Sequence, residues 1–132
     1  MAVKDVKDLT VYIKAYQVSM EFFEYSKGFP VEERHALTSQ GRRSSRSVCH
    51  NLREAWAKRR YEAHFISKLS DADAELHETE HWLMYALAHD YITAVELKAM
   101  TGLLDEVGRM LGSMMAKPES FLVRRDKAPP DI

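Results

Sequence analysis

Residues 61–89 read YEAHFISKLSDADAELHETEHWLMYALAH, and the apolar positions of this stretch decide the fold. They recur at alternating steps of four and three residues, as one face of an α-helix requires. The stripe consists of Phe65, Leu69, Ala72, Leu76, Thr79, Leu83 and Ala86. No single helix can bury such a stripe by itself, so the pattern predicts an all-helical protein in which several helices share one core.

The same periodicity predicts three further helices. In all we predict four, over residues 9–27, 31–57, 61–89 and 93–116. Gly28-Phe29-Pro30 separates the first two, and proline suits the first turn of the second. Thr93 and Glu96 form a capping box at the start of the fourth. Short connections between long helices favour an antiparallel up-down-up-down four-helix bundle, which we expect to form a single domain over residues 1–116.

The composition favours a soluble, cytoplasmic protein. The single cysteine, Cys49, can form no intrachain disulfide, which fits a reducing compartment. Residues 1–10 lack the apolar core of a signal peptide, and no run approaches the ~18 apolar residues that would span a membrane. The net charge of −1 predicts no global attraction to nucleic acid or membrane. Residues 117–132, which hold Pro118, Pro129 and Pro130, are expected to form an extended or disordered tail.

The predicted second helix carries a polar line beside its apolar positions. This polar line consists of Gln40, Arg43, Ser47, Asn51 and Glu54. It is either a solvated face or a partly buried network in which every group needs a partner. Antiparallel pairing places Glu75 of the third helix beside Arg43 and Ser47. We therefore predict an Arg43–Glu75 pair, surrounded by Gln40, Ser47 and Asn51, that sets the register of the two helices.

A basic set lies on another side of the same helix. It consists of Arg42, Arg46, Arg53, Lys58, Arg59 and Arg60. Most of its arginines fall along one face if the helix runs on to Arg60. Such a set can bind the phosphate backbone of RNA or DNA in a salt-dependent way that does not read sequence. The alternative is that these side chains pair with Asp71, Asp73 or acidic residues of a neighbouring subunit.

Aromatic side chains exceed what a single bundle needs. Trp82 and Tyr85 lie off the main stripe of the third helix. This excess favours a second interface and therefore a homo-oligomer, although a monomer with a generously packed core is the alternative. A protein–protein scaffold is accordingly the second functional hypothesis, with its partner docked near Trp82 and Tyr85 or on Phe121-Leu122.

Residues His77-Glu78-Thr79-Glu80-His81 match the H-E-x-x-H pattern of zinc hydrolases. That chemistry needs both histidines on one face, a third ligand, and Glu78 placed to activate water. The sequence offers no obvious third ligand and no adjoining sheet. A metal-dependent hydrolase is therefore the remote alternative, and we expect a protein with no catalytic residues, metal or cofactor.

Residues spread over most of the chain resemble a known family. They are Phe29-Pro30, Glu33, Leu37, Gln40, Arg43, Ser47, Asn51, Glu54, Glu75-Leu76 and Asp90-Tyr91-Ile92. Their order and spacing resemble the four-helix-bundle proteins encoded in intervening sequences of bacterial 23S ribosomal RNA genes, and the match covers residues 9–115. The accessory variability proteins of diversity-generating retroelements look like distant relatives.

The resemblance implies a bundle that assembles into a ring-like pentamer without enzymatic activity. The retroelement relatives bind nucleic acid and a reverse transcriptase through basic surface, so nucleic-acid binding by this chain is an analogy. Two departures from the family pattern stand out. Ala55-Trp56 follows Glu54 where the family usually has glycine, which implies that helix 2 can run further, and Asp71-Ala72 replaces the usual Gly-Ser.

Overall fold

A computed structural model of the protein describes residues 3–123. Its four helices are α1, Thr10–Ser26; α2, Leu37–Ala57; α3, Glu62–Ala88; and α4, Ala94–Ala116. Within that range 3₁₀ turns occur at Val6–Asp8, Val31–Glu33 and Pro118–Ser120. The described residues contain no strand, so the prediction of an all-helical protein with four helices is confirmed. None of the described helices is both long enough and apolar enough to cross a membrane.

Every helix contributes one apolar stripe to a common core. All positions of the stripe predicted for α3, from Phe65 to Ala86, are buried. The largest fully buried side chains come from all four helices and include Phe22, Leu52, Phe65, Leu69, Leu83, Met100 and Leu111. Burial of a leucine or phenylalanine contributes about 1.5–3 kcal/mol, so these stripes are the main source of stability.

Helix α2 begins at Leu37 rather than at residue 31, which corrects the predicted boundary. Pro30 does start a helical turn, but that turn is the short 3₁₀ segment Val31–Glu33. Ala36 then departs from helical geometry, with φ −126° and ψ −106°. Glu33 fixes the new start, because its Oε1 accepts a hydrogen bond from the Leu37 amide at 3.3 Å and its Oε2 accepts one from the Tyr91 hydroxyl at 2.9 Å.

A left-handed residue ends α3. Asp90 has φ 62°, and the amides of Asp90 and Tyr91 donate to the carbonyls of Leu87 and Ala86 at 2.9 and 2.8 Å. These are the two hydrogen bonds of a Schellman cap, which satisfies carbonyls that the helix leaves open. Thr93 then opens α4 with the capping box that the sequence predicts. The cap and the box together explain how the chain turns within so few residues.

Paired residues define how α2 and α3 lie against each other. Arg43, in the first half of α2, contacts Glu75, whereas Glu54, near its end, contacts Lys68. Residue numbers therefore fall along α3 as they rise along α2, and the two helices run in opposite directions where these contacts join them.

Small residues let α2 approach its neighbours closely. A Cβ atom built on Gly41 would lie 1.8 Å from the Phe22 ring of α1, a distance that no side chain tolerates. Ser44 and Ser45 on the same face are fully buried. The absence of a side chain at Gly41 is therefore what allows Phe22 to fill the core at this point.

The segment after α4 differs from the predicted extended or disordered tail as far as the structure describes it. Pro118 is buried in the 3₁₀ turn, and the Phe121 ring stacks on Phe65 at 6.2 Å. The Val123 amide also donates to the Arg59 carbonyl at 3.1 Å. Apolar contacts with α3 thus fold residues 117–123 back on the bundle. The rest of the predicted tail, with Pro129 and Pro130, lies outside the described residues.

Candidate nucleic-acid interface

Arg43 is the centre of a cluster between α2 and α3. Its Nη1 donates to Glu75 Oε2 at 2.9 Å, which is the pairing expected from the sequence, and its Nη2 donates to Glu78. Its Nε also donates to Gln40 Oε1 at 3.4 Å. Burial raises the pKa of Glu75, but hydrogen bonds from neighbours including Arg43 and Ser47 outweigh it, so the net pKa lies below 4.5.

The polar line divides into two separate groups. Gln40 and Ser47 both contact the Arg43–Glu75 pair, and Asn51 Nδ2 donates to the Ser47 carbonyl at 2.9 Å. Glu54 instead lies 2.7 Å from Lys68 Nζ and 3.3 Å from His50 Nε2. The hydrogen bond from Lys68 is the first cause that lowers the pKa of Glu54.

Sequence reasoning missed Lys68 and Glu78 as members of these groups. Lys68 could have been found, because the register that places Glu75 beside Arg43 places residue 64 level with Glu54, and Lys68 lies one helical turn further along α3. Glu78 is conspicuous in the sequence only as part of the H-E-x-x-H pattern. A contact between Arg43 and two acids one helical turn apart follows from the reach of the arginine fork.

The H-E-x-x-H residues do not converge. Thr79 is fully buried, and its neighbours on the helix consequently face outward. Glu78 is bound to Arg43, His77 Nε2 lies 3.5 Å from Asp73, and the His81 ring packs against Tyr85 at 4.9 Å. Within residues 3–123 no group of three or more histidine, cysteine or acidic side chains could hold a metal ion. The geometry therefore gives no support to a metal-dependent hydrolase.

Neutral groups hold two arginines of the basic set. Arg42 Nε donates to Ser26 Oγ at 2.8 Å, and its guanidinium lies 4.6 Å from the centre of the Phe23 ring. Arg53 Nε donates to the Tyr12 hydroxyl at 3.0 Å, with 5.3 Å between guanidinium and ring. These contacts orient the guanidinium groups along the edge that α2 shares with α1, and neither the hydroxyls nor the rings carry a negative charge.

The other four basic side chains differ in their contacts and in their place relative to α2. Arg46 is exposed and makes no side-chain hydrogen bond or ion pair with the described residues. Helix α2 ends at Ala57, so Lys58, Arg59 and Arg60 lie in the following turn and Arg60 does not continue the line on α2, which corrects that expectation. The Arg59 guanidinium lies 3.8 Å from the centre of the Trp56 ring.

Acids of the described residues form no close ion pair with the basic set, although the charge of Asp5 acts on Arg53 and that of Lys58 acts on Glu54. Asp71 lies 3.9 Å from Lys68, and Asp73 lies beside His77. Across the described part of the chain, none of the six basic side chains has a carboxylate within 4.0 Å. The expected alternative of pairing with Asp71 or Asp73 is therefore not what the structure shows.

An open groove runs along the outer surface of α2. It has a volume of about 480 Å³, and Arg34, Arg42, Arg46 and His50 line it together with Ser39. Arg43 also lines the groove, but its charge is paired with Glu75 and Glu78. Arg34 stands in the segment before α2 and was not among the residues predicted from the sequence. Several cations and a hydroxyl group around one open groove are the chemistry that phosphate oxygens require.

Comparison with known proteins places the chain in a family. The sequence model of the 23S rRNA-intervening sequence protein family matches residues 7–113. A similar solved structure is the crystal structure of a protein of unknown function from the S23 ribosomal protein family of Bacteroides thetaiotaomicron. It is 28% identical, with a TM-score of 0.74, and the alignment covers 81% of this chain and 96% of that one.

The family match agrees with the resemblance seen in the sequence. Among curated proteins no sequence matches the chain. The family model nevertheless spans most of the chain, and it includes α1, α2 and α3 in full together with most of α4. The chain therefore belongs to the 23S rRNA-intervening sequence protein family.

Proposed function

We propose that the protein is a non-catalytic, homo-oligomeric protein of the cytoplasm that binds the phosphate backbone of RNA or DNA through the outer surface of α2. The observation that carries the proposal is the basic set, in which none of the side chains has a carboxylate within 4.0 Å among the described residues. Arg42, Arg46 and Arg53 lie on one face of α2, and positive charge without a paired acid on one face is the electrostatic pattern of a backbone-binding surface.

Preorganisation of Arg42 and Arg53 strengthens this interpretation. Each guanidinium is held by one hydrogen bond to a hydroxyl and by the face of an aromatic ring. Side-chain entropy is therefore partly lost before a ligand arrives, while most N–H groups of each fork remain available to phosphate oxygens. Arg46, between them on the helix, is exposed.

An exposed apolar stripe supports the homo-oligomer. Ile13, Tyr16 and Met20 of α1 are 54%, 52% and 48% exposed and lie on the side of that helix opposite its buried face. Burial of such a stripe against another copy would remove it from water. Family resemblance supports five copies in a ring, and repetition of a modest basic groove would raise the affinity through avidity.

Binding of a fluorescently labelled single-stranded RNA at ~50 mM salt tests the proposal, because backbone contacts are strongest at low salt. Arg46→Glu should weaken binding several-fold without loss of stability, since Arg46 makes no contact that the fold needs. Lys98→Glu on α4 is the matched control, with the same change of charge at an exposed position away from the groove. No binding at low salt, or equal losses in both variants, would contradict the proposal.

The alternative of a protein–protein scaffold rests on the aromatic surface at Trp82 and Tyr85, where Tyr85 is 46% exposed. The second docking place expected for a partner, Phe121-Leu122, is less suitable, because both residues pack partly buried against the core. Light scattering with and without nuclease separates the two functions. An oligomer of unchanged mass that carries no absorbance from nucleic acid would favour the scaffold.

A further inference from the structure

A cleft lies between α3 and the start of α2 near Leu37. Its lining differs from that of the open groove that contains Arg34, Arg42 and Arg46, called the arginine groove below. The volume of the cleft is about 430 Å³. One wall consists of His81, Trp82 and Tyr85 of α3 together with His89, the residue that follows this helix. The facing wall includes His35 and Gln40. The cleft is therefore lined mainly by rings, whereas cations line the groove.

The rings of the cleft form a continuous ladder with an exposed face. His81 meets Tyr85 edge to face at 4.9 Å, and Tyr85 stacks on His89 at 6.1 Å with 17° between the ring planes. Trp82 lies 6.2 Å from Tyr85. Tyr85 remains 46% exposed, so its ring offers a surface on which another planar group can stack.

An unpaired donor lies in the wall of the same cleft. Trp82 Nε1 is buried and has no hydrogen-bond partner among the described residues. A buried donor without an acceptor costs free energy, and native proteins rarely leave one in that state. Because Nε1 itself is buried, an acceptor on a ligand in the cleft reaches this donor only if the Trp82 ring turns.

The cleft and the arginine groove are adjacent along one segment. From residue 33 to residue 46 the chain contributes to both, with Arg34, Arg42 and Arg46 in the groove and His35 and Gln40 in the cleft. Gln40 also connects them directly, because its Oε1 accepts the hydrogen bond from Arg43 Nε. Whatever binds across this segment meets cations on one side and stacked rings on the other.

From this arrangement we infer that the cleft receives an unstacked base of a single-stranded nucleic acid, while Arg34, Arg42 and Arg46 bind the adjoining phosphates. The inference rests on the proposed function and narrows it to single strands. Nonspecific recognition of single strands combines these two elements, an electropositive groove and aromatic side chains on which bases stack. A duplex keeps its bases paired and could use only the groove.

Binding of one labelled RNA, first alone and then annealed to its complement, tests the inference. The native protein should bind the single strand more tightly than the duplex. Tyr85→Ala should lower the single-strand affinity roughly tenfold and leave the duplex affinity unchanged, because stacking on the ring is lost. Tyr85→Phe should retain the affinity, and Met84→Ala, at a neighbouring exposed position, is the matched control.

Tryptophan fluorescence gives a second measurement that does not need the arginines. The chain has two tryptophans, so Trp56→Phe leaves Trp82 as the only one. Adenosine, which carries no phosphate, should quench its emission in a saturable way, and Tyr85→Ala should weaken that binding. Absence of quenching would overturn the base site.

Outcomes for the two proposals differ. If Arg46→Glu weakens RNA binding but Tyr85→Ala does not, the base site is wrong and backbone binding stands. If neither form of the RNA binds, both proposals are overturned. If Tyr85→Ala instead dissociates the oligomer in light scattering, the cleft is an interface between copies of the chain and not a base site.

Discussion

Ser44 Oγ and Thr79 Oγ1 lie 2.8 Å apart within the buried contact between α2 and α3. Neither residue has any exposed surface. Thr79 Oγ1 donates its one proton to the Glu75 carbonyl at 2.9 Å, so Ser44 Oγ is the donor across the contact. The Gly41 carbonyl, at 3.3 Å, is the other acceptor within reach of Ser44. Because a shift of either helix would break this hydrogen bond in the dry core, the bond favours the register that brings Arg43 to Glu75.

Replacement of Thr79 by valine tests that relationship. Thr79→Val keeps the shape of the side chain but removes the hydroxyl, and Ser44 loses a partner in a dry environment. We expect the free energy of unfolding in urea to fall by about 1 kcal/mol. Thr101→Val, on the partly exposed face of α4, should change it by less than ~0.5 kcal/mol. Equal effects in the two variants would show that the buried hydrogen bond has no special role.

Gly41 should not tolerate even a methyl group. The Cβ of Gly41→Ala would collide with the buried ring of Phe22, and overpacking of this kind costs about 1–3 kcal/mol. Gly112→Ala is the control, because a Cβ there has no atom within 4 Å and alanine favours a helix by about 1 kcal/mol. Thermal unfolding should show opposite shifts for the two variants, and a stabilised Gly41→Ala would contradict the close approach of α1 and α2.

The Arg43–Glu75 pair should depend on pH. The pKa of Glu75 is lower in the folded protein than its usual 4.5, so the pair adds stability above pH 4.5 and loses it as the pH falls through the folded-state pKa. A double-mutant cycle with Arg43→Gln and Glu75→Gln should give a coupling of roughly 0.2–1 kcal/mol at neutral pH, the range for partly exposed pairs. Coupling that persists unchanged near pH 2 would argue against an ionic pair.

Cys49 should be unreactive in the folded protein. Burial raises the pKa of its thiol to about 11, although the charge of Arg53 acts in the opposite direction. At pH 8 only ~0.1% of the thiol is then ionised, and the thiolate is the form that reacts. Iodoacetamide should therefore modify the native protein far more slowly than the protein unfolded in urea. Similar rates in the two states would mean that Cys49 is accessible.

Most of the fold could be predicted from local patterns in the sequence. The stripe from Phe65 to Ala86 is buried as predicted, and the capping box at Thr93 is present. The predicted start of α2 was wrong because it depends on a hydrogen bond between Glu33 and the distant Tyr91, which helix periodicity does not contain. Contacts between distant residues also fold the segment after α4 onto the bundle.

Only part of the candidate site could be predicted from the sequence. Arg43 and Glu75 could be predicted because the register of two antiparallel helices determines which residues face each other. The partners of Arg42 and Arg53 are hydroxyls and rings of α1, whose position beside α2 depends on tertiary packing. The cleft at Trp82 was expected only as surplus aromatic surface, since its other wall comes from the irregular segment before α2.

The central claim is that arginines of α2 without a paired acid bind a nucleic-acid backbone. The salt dependence of RNA affinity tests this claim most directly. The logarithm of the binding constant should fall linearly with the logarithm of the salt concentration, and Arg46→Gln should make the slope shallower by roughly 0.7 for each phosphate that Arg46 neutralises. Lys98→Gln should leave the slope unchanged. An affinity that does not respond to salt, or a slope that Arg46→Gln leaves intact, would contradict the claim.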